Sequence, residues 1–79
     1  MENELKLKQV IANVFDMKVE NIDINSSKDT IDNWDSIRQM NLIFALEESF
    51  EIQLSDEEAI ELLNYEKIKI ILLEKGISI

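Results

Sequence analysis

The apolar positions of this chain recur at intervals of three and four over most of its length, the period of helices that pack one face against a core. Leu7, Val10, Ile11 and Val14 mark the first such face and predict a helix from about residue 3 to 15, with Lys6, Lys8, Gln9 and Asn13 on its other side. From Asp16 to Asp35 the period is lost, and β-branched residues are scattered among Asp, Asn, Ser and Thr, whose side chains bond locally and favour turns. A long loop is expected there, pinned to the core by Val19, Ile22, Ile24 and Ile31. Structureless connections of this length tend to be functional.

A second helix is predicted from Ser36 to about Glu51, followed by a short link to Ser55-Asp56-Glu57-Glu58. That tetrapeptide has the form of a capping box: Ser55 can accept from the amide three residues on, and Glu58 can reach back. It should open a short third helix from about Asp56 to Leu62. Asn64 can cap a fourth helix from Tyr65 to Lys75, with Tyr65, Ile68 and Leu72 along one face, Ile71 near its edge and Gly76 as the left-handed stop. The expected fold is all-α: a four-helix bundle with one long first connection and a short third helix, in a single domain spanning residues 1–79.

The second helix sorts its side chains in an informative way. At about 100° per residue, Leu42, Ile43, Leu46 and Phe50 form a core face, while Ile37, Met40 and Phe44 fall on roughly the opposite side. Glu47, Glu48 and Glu51 lie among and beside that second stripe. A bundle that wrapped far enough would bury Ile37 or Phe44. Otherwise the stripe is a partner surface, in which apolar residues supply contact area and carboxylates supply steering.

Charge and composition narrow the function. Eight basic and seventeen acidic residues give a net charge of −9, which repels nucleic acid and anionic lipid and attracts basic partners. From Gln39 to Glu66 there is no Lys or Arg, while Glu47, Glu48, Glu51, Asp56, Glu57, Glu58, Glu61 and Glu66 all fall in that stretch. With neither histidine nor cysteine, Ser-His-Asp and Cys-His catalysis and the usual zinc sites are excluded. Neither a signal peptide nor a run of membrane-spanning length is visible, so a cytoplasmic monomer is expected, without membrane insertion. Asp23, Asn25, Ser27 and Asp29 match alternate ligands of a calcium loop, but Lys28 stands where that loop needs Gly and Trp34 where it needs a bidentate Glu. No metal site is assigned.

The second helix opens with Asn33-Trp34-Asp35-Ser36-Ile37. Asp35 is placed as its N-cap and Ser36 as its first residue, with the hydroxyl outside the bundle. Unpaired amides and the positive pole of the helix dipole would favour a phosphodiester attached there. Asp-Ser before a helix is common, but here it is followed by Ala45-Leu46-Glu47-Glu48-Ser49-Phe50-Glu51-Ile52, then Ser55 to Ile60, then Tyr65-Glu66-Lys67-Ile68. These segments, in this order and at these spacings, resemble the acyl carrier protein family over nearly the whole chain.

The resemblance implies that the chain is not itself an enzyme. It implies that Ser36, with Asp35 beside it, receives a covalent 4′-phosphopantetheine arm from coenzyme A. A separate phosphopantetheinyl transferase, a holo-carrier synthase using magnesium, would add the arm, and acyl or aminoacyl groups would ride on its thiol as thioesters. Partners implied are that transferase and acyl-activating and acyl-transferring enzymes with basic docking patches. The surface offered to them is Ile37, Arg38, Met40, Phe44, Glu47, Glu48 and Glu51, with Asp56 and Glu57 of the third helix.

Two departures from the family pattern concern the cargo. Asn33 stands where Gly is common, followed by Trp34, and Arg38 puts a positive charge just after the serine. The Trp-Asp-Ser form resembles discrete carriers of specialised pathways, including D-alanyl carriers, more than the fatty-acid biosynthesis protein. A sheltered chain would need a gap lined by Leu7, Ile11, Leu42, Leu46, Phe50, Ile60, Leu62 and Ile68, residues expected to pack closely. A short group left exposed on the arm is therefore expected. The other reading of the same surface is an unmodified acidic module that binds or inhibits a basic partner.

Overall fold

The computed structural model of the chain describes residues 2–23, 25–27, 29–31 and 34–79, and of Glu2 the backbone alone. Ile24, Lys28 and Asn33, each given a part above, lie outside the described residues. Helix α1 runs Glu2–Phe15, α2 Ser36–Phe50, α3 Asp56–Ile60 and α4 Tyr65–Glu74, with a short 3₁₀ turn at Val19–Asn21 and no strand among the described residues. The chain is thus an all-α four-helix bundle with a long first connection, as its hydrophobic spacing predicts.

Local chemistry sets the starts of α2, α3 and α4. Asp35 accepts from the Arg38 amide at 2.8 Å, and Asn64 accepts from the Lys67 amide at 2.7 Å. Ser55 and Glu58 make both bonds of the capping box, at 3.1 and 2.9 Å. Each cap satisfies amides that have no acceptor within the helix, an effect of about 1 kcal/mol. Helix α3 stops two residues short of the expected Leu62, because there the chain tightens into Glu61–Glu58 and Leu62–Ala59 turns that swing Leu62 fully into the core.

The core is filled from all directions: Leu7, Ile11 and Phe15 of α1, Leu42, Leu46 and Phe50 of α2, Ile68, Ile71 and Leu72 of α4, and Leu62. The loop contributes Ile22, Ile31 and Trp34 to the same cluster, with Val19 partly buried against it. It is also stitched to α4, since the Tyr65 amide donates to the Ser26 carbonyl at 2.9 Å beside an antiparallel bridge between Ser27 and Asn64. One residue expected to line the core does not: Ile60 is 72% exposed, because the single turn of α3 that precedes Leu62 directs it outward. The radius of gyration is 11.2 Å, close to the ~11.6 Å that a folded chain of this length should have.

Helix ends carry the strain. Gly76 adopts φ 88° as the expected left-handed stop after α4, but Asp16 and Glu51 occupy the same region at φ 54° without being glycine, at roughly 1 kcal/mol each.

Ion pairs link distant segments: Lys69 with Glu4 at 2.8 Å and Lys75 with Glu58 at 2.7 Å. The hydrogen bond from Lys75, and then the one from the Ser55 amide, hold the Glu58 carboxyl below the usual carboxylate range. A carboxyl lowered in the fold contributes stability that is present above the ordinary value near 4.5 and is lost as the pH falls through the lowered one. Glu58→Gln keeps the capping acceptor but loses the charge. Its thermal midpoint should lie below that of the wild type at pH 7, and the gap should close on acidification toward pH 3. A gap that stays constant or widens over that titration would show that the Lys75 pair contributes nothing.

Candidate functional site

The site is built at the start of α2. Asp35 holds an extended backbone at φ −109° and ψ −177°, its side chain capping the Arg38 amide while its carbonyl accepts the first helical bond from Gln39 at 2.8 Å. The amides of Ser36 and Ile37 precede that first bond and have no acceptor within the helix. Ser36 is exposed as the first helical residue. Its hydroxyl therefore sits at the positive pole of a fifteen-residue helix, where an anion attached to it would be favoured.

Beneath Ser36 lies a junction that spacing alone does not disclose. Gln39 sits one turn into α2, and its side-chain oxygen accepts from the Trp34 indole Nε1 at 2.5 Å. Its amide nitrogen donates to the carbonyls of Ala59 and Leu62, at 3.0 Å each. Three hydrogen bonds thus tie the end of the loop, the start of α2 and the end of α3. Trp34 is only 5% exposed and stacks, tilted, on Phe15 of α1 with ring centroids 4.5 Å apart. Such bonds contribute roughly 0.5–1.5 kcal/mol each, whereas opening the junction and leaving its groups unpaired costs about 1–3 kcal/mol per group.

Trp34 and Gln39 occupy the two positions, just before the cap and one turn after it, at which a hydrophobic staple fixes the entry of a chain into a helix. Here a hydrogen bond replaces the apolar contact. That register was the signal that could have found the pair.

Arg38 points away from Ser36. Its guanidinium donates to the Val14 carbonyl near the end of α1, one of the carbonyls a helix leaves without a partner and a place where positive charge is favoured. It lines a cleft between α1 and α2 with Val10, Asn13, Val14, Asn41, Ala45 and Ser49. Its position is thus explained by helix capping.

Ile37, Met40 and Phe44 form an uncovered stripe, 71%, 55% and 59% exposed. Glu48 and Glu51 are exposed beside it, and Glu47 is half-buried, its carboxylate accepting from the Leu54 amide at 2.9 Å and so fixing the link to α3. These acids lie at the C-terminal end of α2, which has no basic residue in its last turn. Negative charge there opposes the helix dipole, by typically 0.3–1 kcal/mol per residue. Asp56 and Glu57 differ: they occupy the first turn of α3, where the dipole favours them.

Between α2 and α3 a cleft of about 200 Å³ is lined by Trp34, Asp35, Ser36, Gln39, Ile60 and Leu63. An exposed serine at a helix start, flanked by an open cleft with apolar walls, suits a phosphodiester that continues into a flexible arm. Asp23 and Ser27, in contrast, spend their side-chain oxygens on the Asn25 and Asp29 amides, and Trp34 is in the core. Among the described residues no cluster of acidic side chains could hold a metal ion. No helix there is long and apolar enough to cross a membrane.

No family model matches the chain. The acyl carrier protein of Buchnera aphidicola subsp. Schizaphis graminum (strain Sg) is 39% identical to it over 64 residues, which is 81% of this chain and 81% of that relative. With the all-α bundle, this degree of likeness over four-fifths of both sequences shows that the chain belongs to the acyl carrier protein family.

Proposed function

We propose that the chain is a discrete carrier whose Ser36 bears 4′-phosphopantetheine and presents acyl or aminoacyl groups to separate enzymes. The observation that carries this reading is the placement of Ser36: an exposed hydroxyl at the first position of α2, held by the Asp35 cap above and the Gln39 junction below. When bound, the arm supplies a terminal thiol on which an acyl group is held as a thioester. The protein supplies position, address and charge. Asp35 and the Gln39 junction keep the serine on a rigid element, and the first-turn amides would favour the phosphate.

The address is the stripe of Ile37, Met40 and Phe44 with the acids beside it. Large apolar side chains left in water, next to carboxylates placed against the helix dipole, are difficult to account for by stability. They suit contact with, and steering of, a basic partner. The carrier would work in the cytoplasm, in a fatty-acid or more specialised pathway.

Two outcomes are expected. Incubated with coenzyme A, magnesium and a phosphopantetheinyl transferase, the wild type should gain the mass of one phosphopantetheinyl group and Ser36→Ala none, with the variant's thermal midpoint nearly unchanged because an exposed first-turn residue adds little packing. Modification of the variant, or of the wild type at Ser26, Ser27 or Ser49, would contradict the assignment. For the docking surface the informative change is Glu48→Lys with Glu57→Lys, which leaves the Glu47 bond to Leu54 in place. It should slow arm transfer by roughly tenfold at low ionic strength, with the difference shrinking as salt is added. Circular dichroism should change little. Equal rates at low salt would move the docking surface elsewhere.

A further inference from the structure

The cleft beside Ser36 has a floor, and the floor is Gln39. Any group on an arm anchored at Ser36 that entered the bundle between α2 and α3 would have to displace the Gln39 side chain. It would break the bonds to the Trp34 indole, the Ala59 carbonyl and the Leu62 carbonyl together. An alkyl chain offers no replacement partner for any of these groups, so the opened polar atoms would face hydrocarbon. Behind the junction stand Leu42, Leu46, Leu62, Ile68 and Leu72, each at most 1% exposed, and no buried side-chain nitrogen or oxygen among the described residues lacks a partner. Among the described residues the core thus has no unpaired buried polar group to yield.

Outside the floor the space is small. The cleft of about 200 Å³ is open to solvent. Its apolar walls are Ile60 and Leu63, 72% and 45% exposed. An acyl chain lying between these exposed walls would keep one side in water.

We infer that Gln39 is a specificity-determining gate that bars the core to cargo, so that this carrier presents short acyl groups outside the bundle and does not shelter long ones. The inference rests on Ser36 as the attachment point. Trp34 serves the gate by holding the Gln39 oxygen, and Phe15 serves it by holding Trp34.

The test loads the full chain with arms bearing two-, four-, eight- and twelve-carbon acyl groups, transferred from the corresponding acyl-coenzyme A by a phosphopantetheinyl transferase and verified by intact mass. The wild-type thermal midpoint should vary by less than about 2 °C across the series, whereas burial of the longest chain would raise it by more than about 10 °C. The chain has one tryptophan, so its indole proton reports on the gate without ambiguity and should keep its chemical shift at every length. In Gln39→Ala the midpoint should climb with chain length, because the floor is gone. A wild-type midpoint that climbs with length, with shifts of the Trp34 indole and of the Leu46 and Ile68 amides, would overturn the inference while leaving Ser36 in place. Absence of any mass gain would overturn the attachment itself. Should Gln39→Ala fail to fold, the wild-type series and the indole signal decide the question alone.

Discussion

Gln39 is one side chain bonded in three directions, and the geometry of the Ser36 end of the bundle depends on it. Its oxygen fixes the indole of the last loop residue before the cap, and its nitrogen fixes two carbonyls of the turn that ends α3. Helix α3 is five residues long, too short to persist on its own, since isolated helices of this length do not survive in water. It is held by its capping box at one end and by Gln39 at the other. Because Gln39 stands one turn after Ser36, whatever holds α3 and Trp34 also holds the serine. The arrangement couples the entry of the chain into α2 to the turn that ends α3.

The second theme is the opposition between stability and contact along α2. Its buried side follows the ordinary rule, with Leu42, Leu46 and Phe50 in the core. Its other side breaks that rule twice, by leaving Ile37, Met40 and Phe44 in solvent and by setting carboxylates at the negative pole, with Glu51 in a left-handed conformation. Local rules are broken most often where a surface serves something outside the fold. The acids of α3 obey the dipole and need no such explanation. This distinction separates two groups of carboxylates that form one continuous acidic run in the sequence.

Much of this was legible beforehand because it depends on short-range chemistry. The caps at Asp35, Ser55 and Asn64, the stop at Gly76 and the core faces of α1, α2 and α4 each follow from residues within one or two turns of one another. What could not be read depends on contacts between residues far apart in the chain. Gln39 meets Ala59 and Leu62, and Arg38 meets Val14, at separations that no periodicity encodes. Trp34, a departure from the family motif, is also a core residue stacked on Phe15. Ile60, expected with Leu62 in the lining of a core gap, faces solvent because α3 ends there, two residues before Leu62. Arg38, which reads as a charge beside Ser36, is occupied by the end of α1.

A double-mutant cycle reaches the centre of this account. Trp34→Phe removes the indole donor, Gln39→Met removes its acceptor at nearly constant length, and the unfolding free energies of both single variants and the double are compared in denaturant. If the junction is as described, each single change leaves one partner of the indole–amide bond unpaired and the double change removes both partners, while the Ala59 and Leu62 carbonyls lose their donor equally in both variants that lack Gln39. The double variant should then be less destabilised than the sum of the singles by about 1 kcal/mol. Effects that add within roughly 0.3 kcal/mol would mean that Trp34 and Gln39 act independently, and that the start of α2 is held by something else.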